Sequence, residues 1–191
     1  MDAMTGTTIL WRRLDVEGHD CCRMAQADDG WVFDGKAVFV EGGDAVALDY
    51  RFSCDGRWRT KRAEISGWIG TRDTRLTVER GPAGDWRLNG VTQDVPGDLV
   101  DVDLGFTPAT NILPIRRLQL AVGDEARAPA VYLAFPELRL QVLEQTYRRI
   151  DETRYAYQGL TYEGVLDVSP EGFVLNYPGL WTATTTVAGN R

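Results

Sequence analysis

The sequence predicts a mainly β protein: a single-domain antiparallel meander of about ten or more strands, curled into a β-roll or half-barrel, with at most one or two short helices. Three observations carry this. Turn-forming clusters recur about every ten residues: "DDG" at 28–30, "EGGD" at 41–44, "CDG" at 54–56, "RGPAGD" at 80–85, "VPGD" at 95–98, "QGL" at 158–160 and "SPEG" at 169–172. The runs between them alternate apolar and polar residues with the period of a strand. Almost nothing follows a helical period, so no helices are available to cover a sheet face, and that many strands must curl, close or split to cover their own.

Taken along the chain, each run has a local reason. In the first strands the adjacent Cys21 and Cys22 point to opposite faces and cannot jointly hold a metal. "WVFDGKAVFV" sets Trp31, Phe33, Ala37 and Phe39 on one side. "VALDYRFSC" is the clearest strand, with Val46, Leu48, Tyr50, Phe52 and Cys54 on one face and Asp49, Arg51 and Ser53 on the other. In "LVDVDLGFTPATNILPIRRL", Asp101 and Asp103 share a face, although Asp is depleted in strands. A short helix is expected from Ile112 to Val122, capped by Asn111, with Pro114 in its first turn, Ile115, Leu118 and Val122 as its stripe, and Gly123 as its end. "LQVLEQTYRRIDETRYAYQ" reads as two strands about a polar turn near Asp151 and Glu152. "YEGVLDV" and "FVLNY" place Tyr162, Leu166, Val168, Phe173, Leu175 and Tyr177 together. No linker, repeat or low-complexity tract divides residues 1–191.

Composition excludes several classes. Hydrophobic content of 43% and charged content of 26% suit a globular chain. A net charge of −7 argues against a nucleic-acid surface and against charge-driven docking on anionic lipid. Only Lys36 and Lys61 are lysines, which reads as codon bias. The sequence contains no apolar run long enough to insert in a membrane and no signal-peptide pattern at its start, and its three cysteines make no disulfide framework, so a cytoplasmic home is expected. No metal or cofactor is expected. His19 is the only histidine, so zinc motifs of paired histidines are impossible, and haem ligation by one histidine is a remote reading. There is no nucleophile elbow, no Walker A loop and no dinucleotide fingerprint.

The polar cluster of the middle segment has a functional and a structural reading. Asp101 and Asp103 could form an acid/base or metal pair, or serve as partners for Arg116 and Arg117. The two arginines could hold an anion, or brace a loop; on a helix only one of them can face a pocket. The many aromatics suit a core, or a lipid or sugar pocket, and "NYPGLW" delivers Trp181 as a lid on the end of the sheet.

"DVDLGFTPATNILPIRRL", with "ETRYAYQ", "YPGLW" and the N-terminal "WRRLD" before a Cys-bearing strand, resembles the bacterial DUF1089 family of "putative glycolipid-binding" proteins over nearly the whole chain. Ile112 stands where a Thr is expected, and His19 where an acidic residue is common. The resemblance implies an all-antiparallel roll that binds a glycolipid or other amphiphile, with no catalytic residues assigned. The reading is a binding protein with an apolar β-walled cavity for the tail and a polar mouth for the head. Its candidate ligand residues are Asp101, Asp103, Thr107, Thr110, Asn111, Arg116, Arg117, Tyr147 and Trp181. The alternatives are an enzyme acting on a sugar or phosphorylated substrate through Asp101/Asp103 with Arg116/Arg117, and a filled scaffold without ligand, able to dimerise through an open sheet edge.

Overall fold

The computed structural model describes residues 6–188. Eight strands lead from the N-terminus: β1 (Gly6–Arg13), β2 (Gly18–Ala27), β3 (Gly30–Glu41), β4 (Asp44–Asp55), β5 (Thr60–Ile69), β6 (Arg72–Arg80), β7 (Trp86–Leu88) and β8 (Val91–Thr92). Then come β9 (Asp101–Leu104), a 3-10 turn (Pro108–Asn111) and the single helix α1 (Ile112–Leu118). The remaining strands are β10 (Glu125–Arg127), β11 (Ala130–Ala134), β12 (Arg139–Leu143), β13 (Thr146–Arg149), β14 (Arg154–Gln158), β15 (Glu163–Val168), β16 (Val174–Tyr177) and β17 (Trp181–Ala188).

Fourteen strands form one antiparallel sheet in the order β10-β13-β14-β15-β16-β17-β1-β2-β3-β4-β5-β6-β7-β8. It is two meanders joined where β1 pairs with β17, at register Trp11 to Ala183. Its end strands do not pair, so the sheet curls without closing, as expected. Bulges between Leu10 and Trp11, Ser53 and Cys54, and Asp167 and Val168 add local bend.

Alternation works as the sequence predicts. Val46, Leu48, Tyr50, Phe52 and Cys54 are all buried, as are Phe33, Ala37 and Phe39 across the β3/β4 ladder. Phe33 stacks on its cross-strand partner Phe52 with ring centroids 4.3 Å apart. Gly35 lies under the Tyr50 ring; a Cβ there would sit 2.0 Å from it, so only glycine admits the tyrosine. Trp11, Phe33, Phe52, Phe106 and Phe173 fill the interior of the curl. Leu48→Ala should therefore cost about 2–5 kcal/mol. Asp49→Ala, which removes only an exposed pairing with Lys36, should stay within about 0.5 kcal/mol. Urea unfolding of both variants checks this, and equal effects would contradict the facing.

Five details differ from expectation. The small second sheet, β12-β11-β9, pairs β9 with β11 in parallel. A parallel pair needs a crossover, and the 3-10 turn, α1 and β10 provide it. The helix ends at Leu118 because Gln119 turns left-handed (φ 47°), so Val122 is solvent-exposed and Gly123 lies beyond the end. Thr107 caps the 3-10 turn, accepting from the Ala109 N–H; Asn111 is itself helical and makes no cap bond. "LQVLEQTYRR" breaks into β12 and β13, which join different sheets, and the bulge in β15/β16 buries Val174 while Leu175 is only half-buried.

Candidate functional site

The small sheet has two working faces. Val102, Leu104, Val131 and Leu133 point into the main core and are fully buried. On the opposite face, cross-strand register lines up Asp103, Tyr132 and Gln141 in one row. That row is the floor of a cleft of about 350 Å³. The facing wall comes from the C-terminal meander: Tyr157 on β14, the 159–162 loop, Tyr177 at the end of β16, and Leu180 and Trp181 after the Pro-Gly turn. Tyr132 lies over Gly105, where a Cβ would meet its hydroxyl at 2.5 Å, so the glycine lets the ring lie beside Asp103.

The nine candidate residues separate into four groups. Asp103, Thr107, Asn111 and Trp181 line the cleft. Tyr147 is fully buried behind it: its hydroxyl accepts from Asn111 Nδ2 at 2.8 Å, which fixes the amide. Gln145 Oε1 continues this network by accepting from the Tyr157 hydroxyl at 3.0 Å. Asp101, Thr110 and Arg117 brace the segment. Arg117 grips Asp101 with two bonds, Nε to Oδ1 at 3.0 Å and Nη2 to Oδ2 at 2.5 Å, and the Asp101 side chain is 1% exposed. Thr110 Oγ1 accepts from the Leu104 N–H. Arg116 points elsewhere, with its guanidinium over the Trp58 ring at 5.1 Å. The two arginines diverge as helical geometry requires, and neither lines the cleft.

Thr107 reveals a buried cluster that the sequence did not suggest. Its hydroxyl donates to Asp20, which also accepts from the Tyr50 hydroxyl at 3.0 Å. Asp20 is completely buried, and burial pushes its carboxyl up to about 7 against the pull of the Thr107 and Tyr50 hydroxyls. The cluster anchors the start of the 3-10 turn on β2 and β4.

Asp103 is different. Among the described residues no group donates a hydrogen bond to it, and no lysine, arginine or histidine lines the cleft. Burial, and then the Asp101 charge two residues away, push its carboxyl up to about 7. Unfolded, it titrates near the ordinary 3.8. The native state thus keeps a proton that the unfolded chain has already lost, and stability falls as pH rises from about 4 to about 7. Asp103→Asn should remove part of that fall. Relative to wild type, the variant should gain about 1–2 kcal/mol on going from pH 5 to pH 8, after discounting for partial solvent access. Thermal melts at the two pH values measure it; parallel behaviour of the two proteins would show that the Asp103 carboxyl is not held away from its ordinary value.

Two other depressions are occupied by their own chemistry. The outer face of β2–β5 carries a cleft of about 530 Å³, but its charges pair among themselves, Arg51 with Asp34 at 2.6 Å and Lys36 with Asp49. Beside α1, Arg149 spends its guanidinium on the carbonyls of Leu120, Asp151 and Glu152. Cys21 is exposed and Cys22 buried, on opposite faces as predicted, and no cluster of metal-ligating side chains occurs among the described residues. No helix among them is long and apolar enough to cross a membrane.

Tyr132, Gln141, Tyr157 and Tyr177 were not legible as cleft residues. The signal for two of them lay in "ETRYAYQ" and "YPGLW", where tyrosines flank the resemblance motifs; for Tyr132 and Gln141 no local signal exists.

Comparison with known proteins agrees with this architecture. The chain is 28% identical over 152 residues to the UDP-N-acetylmuramoyl-L-alanyl-D-glutamate–2,6-diaminopimelate ligase of Corynebacterium efficiens. The match takes in 71% of this chain but spans only 28% of that relative's length. The crystal structure of a DUF1089 family protein from Pseudomonas aeruginosa superposes with a TM-score of 0.73 at 30% identity, covering 85% of this chain and 91% of that one. Residues 8–183 match the family described as "Putative glycolipid-binding", and the chain belongs to that family.

Proposed function

We propose that the protein binds the sugar-bearing head of a glycolipid or related amphiphile in the Asp103 cleft. The observation that carries this reading is a carboxyl without a protein partner, set among tyrosine rings. Sugars offer hydroxyls to a carboxylate and an amide, and apolar C–H faces to aromatic rings. Asp103, Gln141 and Asn111 supply the first kind of contact, and Tyr132, Tyr177 and Trp181 the second. The exposed apolar residues at the rim, Val142 and Leu160, suit the departing tail. The cleft's volume lies at the small end of ligand pockets, which fits a head group better than a whole lipid.

The rival reading, hydrolysis of a sugar by two carboxylates, needs both of them free. Asp101 is held by Arg117, and Asp103 is the only acidic residue lining the cleft. An anionic substrate held by Arg116 and Arg117 likewise loses support, since neither reaches the cleft.

Titration of octyl glucoside and of octanol, followed by tryptophan fluorescence, tests the proposal. Asp103→Asn should weaken octyl glucoside about tenfold or more and leave octanol unchanged, because a hydrogen bond to a charged group contributes roughly 1.5–3 kcal/mol. Equal binding of octyl glucoside by both proteins would overturn it.

A further inference from the structure

Charge balance in the cleft points further. We infer that the head group it takes carries an ammonium group, so that the ligand is an organic cation such as an amino sugar or a quaternary amine. This rests on the reading of the cleft as the head-group site, and goes beyond it in naming the charge.

Among the described residues, Asp103 is the only charged one that lines the cleft. A cleft built for a phosphate or carboxylate would present arginine, lysine or a helix N-terminus. Here the basic residues nearest in sequence are turned away, Arg117 onto Asp101 and Arg116 onto Trp58. A neutral head leaves the carboxyl protonated up to about pH 7, whereas an ammonium group compensates its ionised form.

The walls of the cleft point the same way. Tyr157, Tyr162 and Tyr177 contact one another at centroid distances of 4.7–6.1 Å with interplanar angles of 40–70°. Rings this close pack on one another edge to face or tilted, so they form a continuous aromatic wall of the cleft and leave no cage between them. An aromatic wall in the same cleft as a carboxylate attracts an ammonium group through the negative ring faces.

Burial holds the Asp103 proton to about 7 in the absence of ligand. An ammonium group beside it favours the ionised form, so binding at pH 6 releases a proton and tightens as pH rises toward 8. The titratable groups around Asp103 are Asp101, already paired, and the tyrosines of the cleft, whose hydroxyls burial pushes upward and out of this range.

The test compares isosteres by calorimetry at pH 8 on the full chain. One pair is choline against 3,3-dimethylbutan-1-ol; the other is octyl 2-amino-2-deoxyglucoside against octyl glucoside. The cationic member of at least one pair should bind about tenfold or more tighter. That preference should vanish in Asp103→Asn and persist in Asp49→Asn, and for the choline pair, whose charge does not titrate, it should shrink at pH 6; which pair shows it separates quaternary from primary amine. If octyl glucoside binds as well as its amino counterpart and choline shows no preference, the inference fails while the head-group proposal stands. If no probe binds at all, both fail. A preference that survives in Asp103→Asn would reflect the acidic surface and also overturn the inference.

Discussion

Arg117→Met should lower stability by about 3–5 kcal/mol, because it strands a carboxylate that the fold has taken out of water. The Asp101 side chain is 1% exposed, and both of its oxygens depend on the guanidinium. Burial pushes the Asp101 carboxyl upward and Arg117 pulls it back. Removing Arg117 leaves burial alone, so the deficit should be largest at alkaline pH and smaller near pH 4, where Asp101 accepts a proton. The reverse change is milder. Asp101→Asn leaves Arg117 able to turn toward water, since 21% of its side chain is exposed, and should cost about 1–2 kcal/mol. Replacing both, with Asp101→Leu and Arg117→Met, should recover much of the loss. Urea unfolding of the four proteins settles the matter, and a harmless Arg117→Met would show that the pair is not a brace.

Trp11→Ala should cost about as much, roughly 3–5 kcal/mol. The indole sits where the two meanders meet, fully buried, edge-on to Phe173 at 5.8 Å, and it donates Nε1–H to the Val174 carbonyl at 2.6 Å. Trp11→Phe separates the two contributions: it keeps most of the buried area but leaves the carbonyl without its donor, for about 1–3 kcal/mol. The same unfolding measurement applies. A Trp11→Phe variant as stable as wild type would mean that the indole hydrogen bond contributes nothing to the join between β1 and the C-terminal meander.

Local physics was legible in the sequence and long-range pairing was not. The β3 and β4 faces follow from alternation alone, because side-chain direction in a strand depends only on the neighbours. Alternation likewise put Asp101 and Asp103 on one face, but it cannot tell them apart. Arg117, sixteen positions on, decides that Asp101 is a brace, and the parallel pairing of β9 with β11 sets Tyr132 beside Asp103. Both depend on the crossover, whose geometry turns on a left-handed Gln119 that carries no glycine signal. Asn111 stands out in the sequence as a helix cap, yet its amide serves Tyr147 and leaves the helix uncapped. Asp20 escaped notice because a single acid on a strand looks solvated until Tyr50 and Thr107 close over it.

The carboxyl carbon of Asp103, followed by NMR through a pH titration with and without saturating octyl 2-amino-2-deoxyglucoside, tests the ligand-directed carboxyl most directly. Asp103 should titrate near pH 7 without ligand, and its midpoint should drop when ligand is added. An Asp103 that titrates near its ordinary 3.8 and keeps the same midpoint with ligand would contradict the half-buried, unpartnered carboxyl on which the functional reading stands.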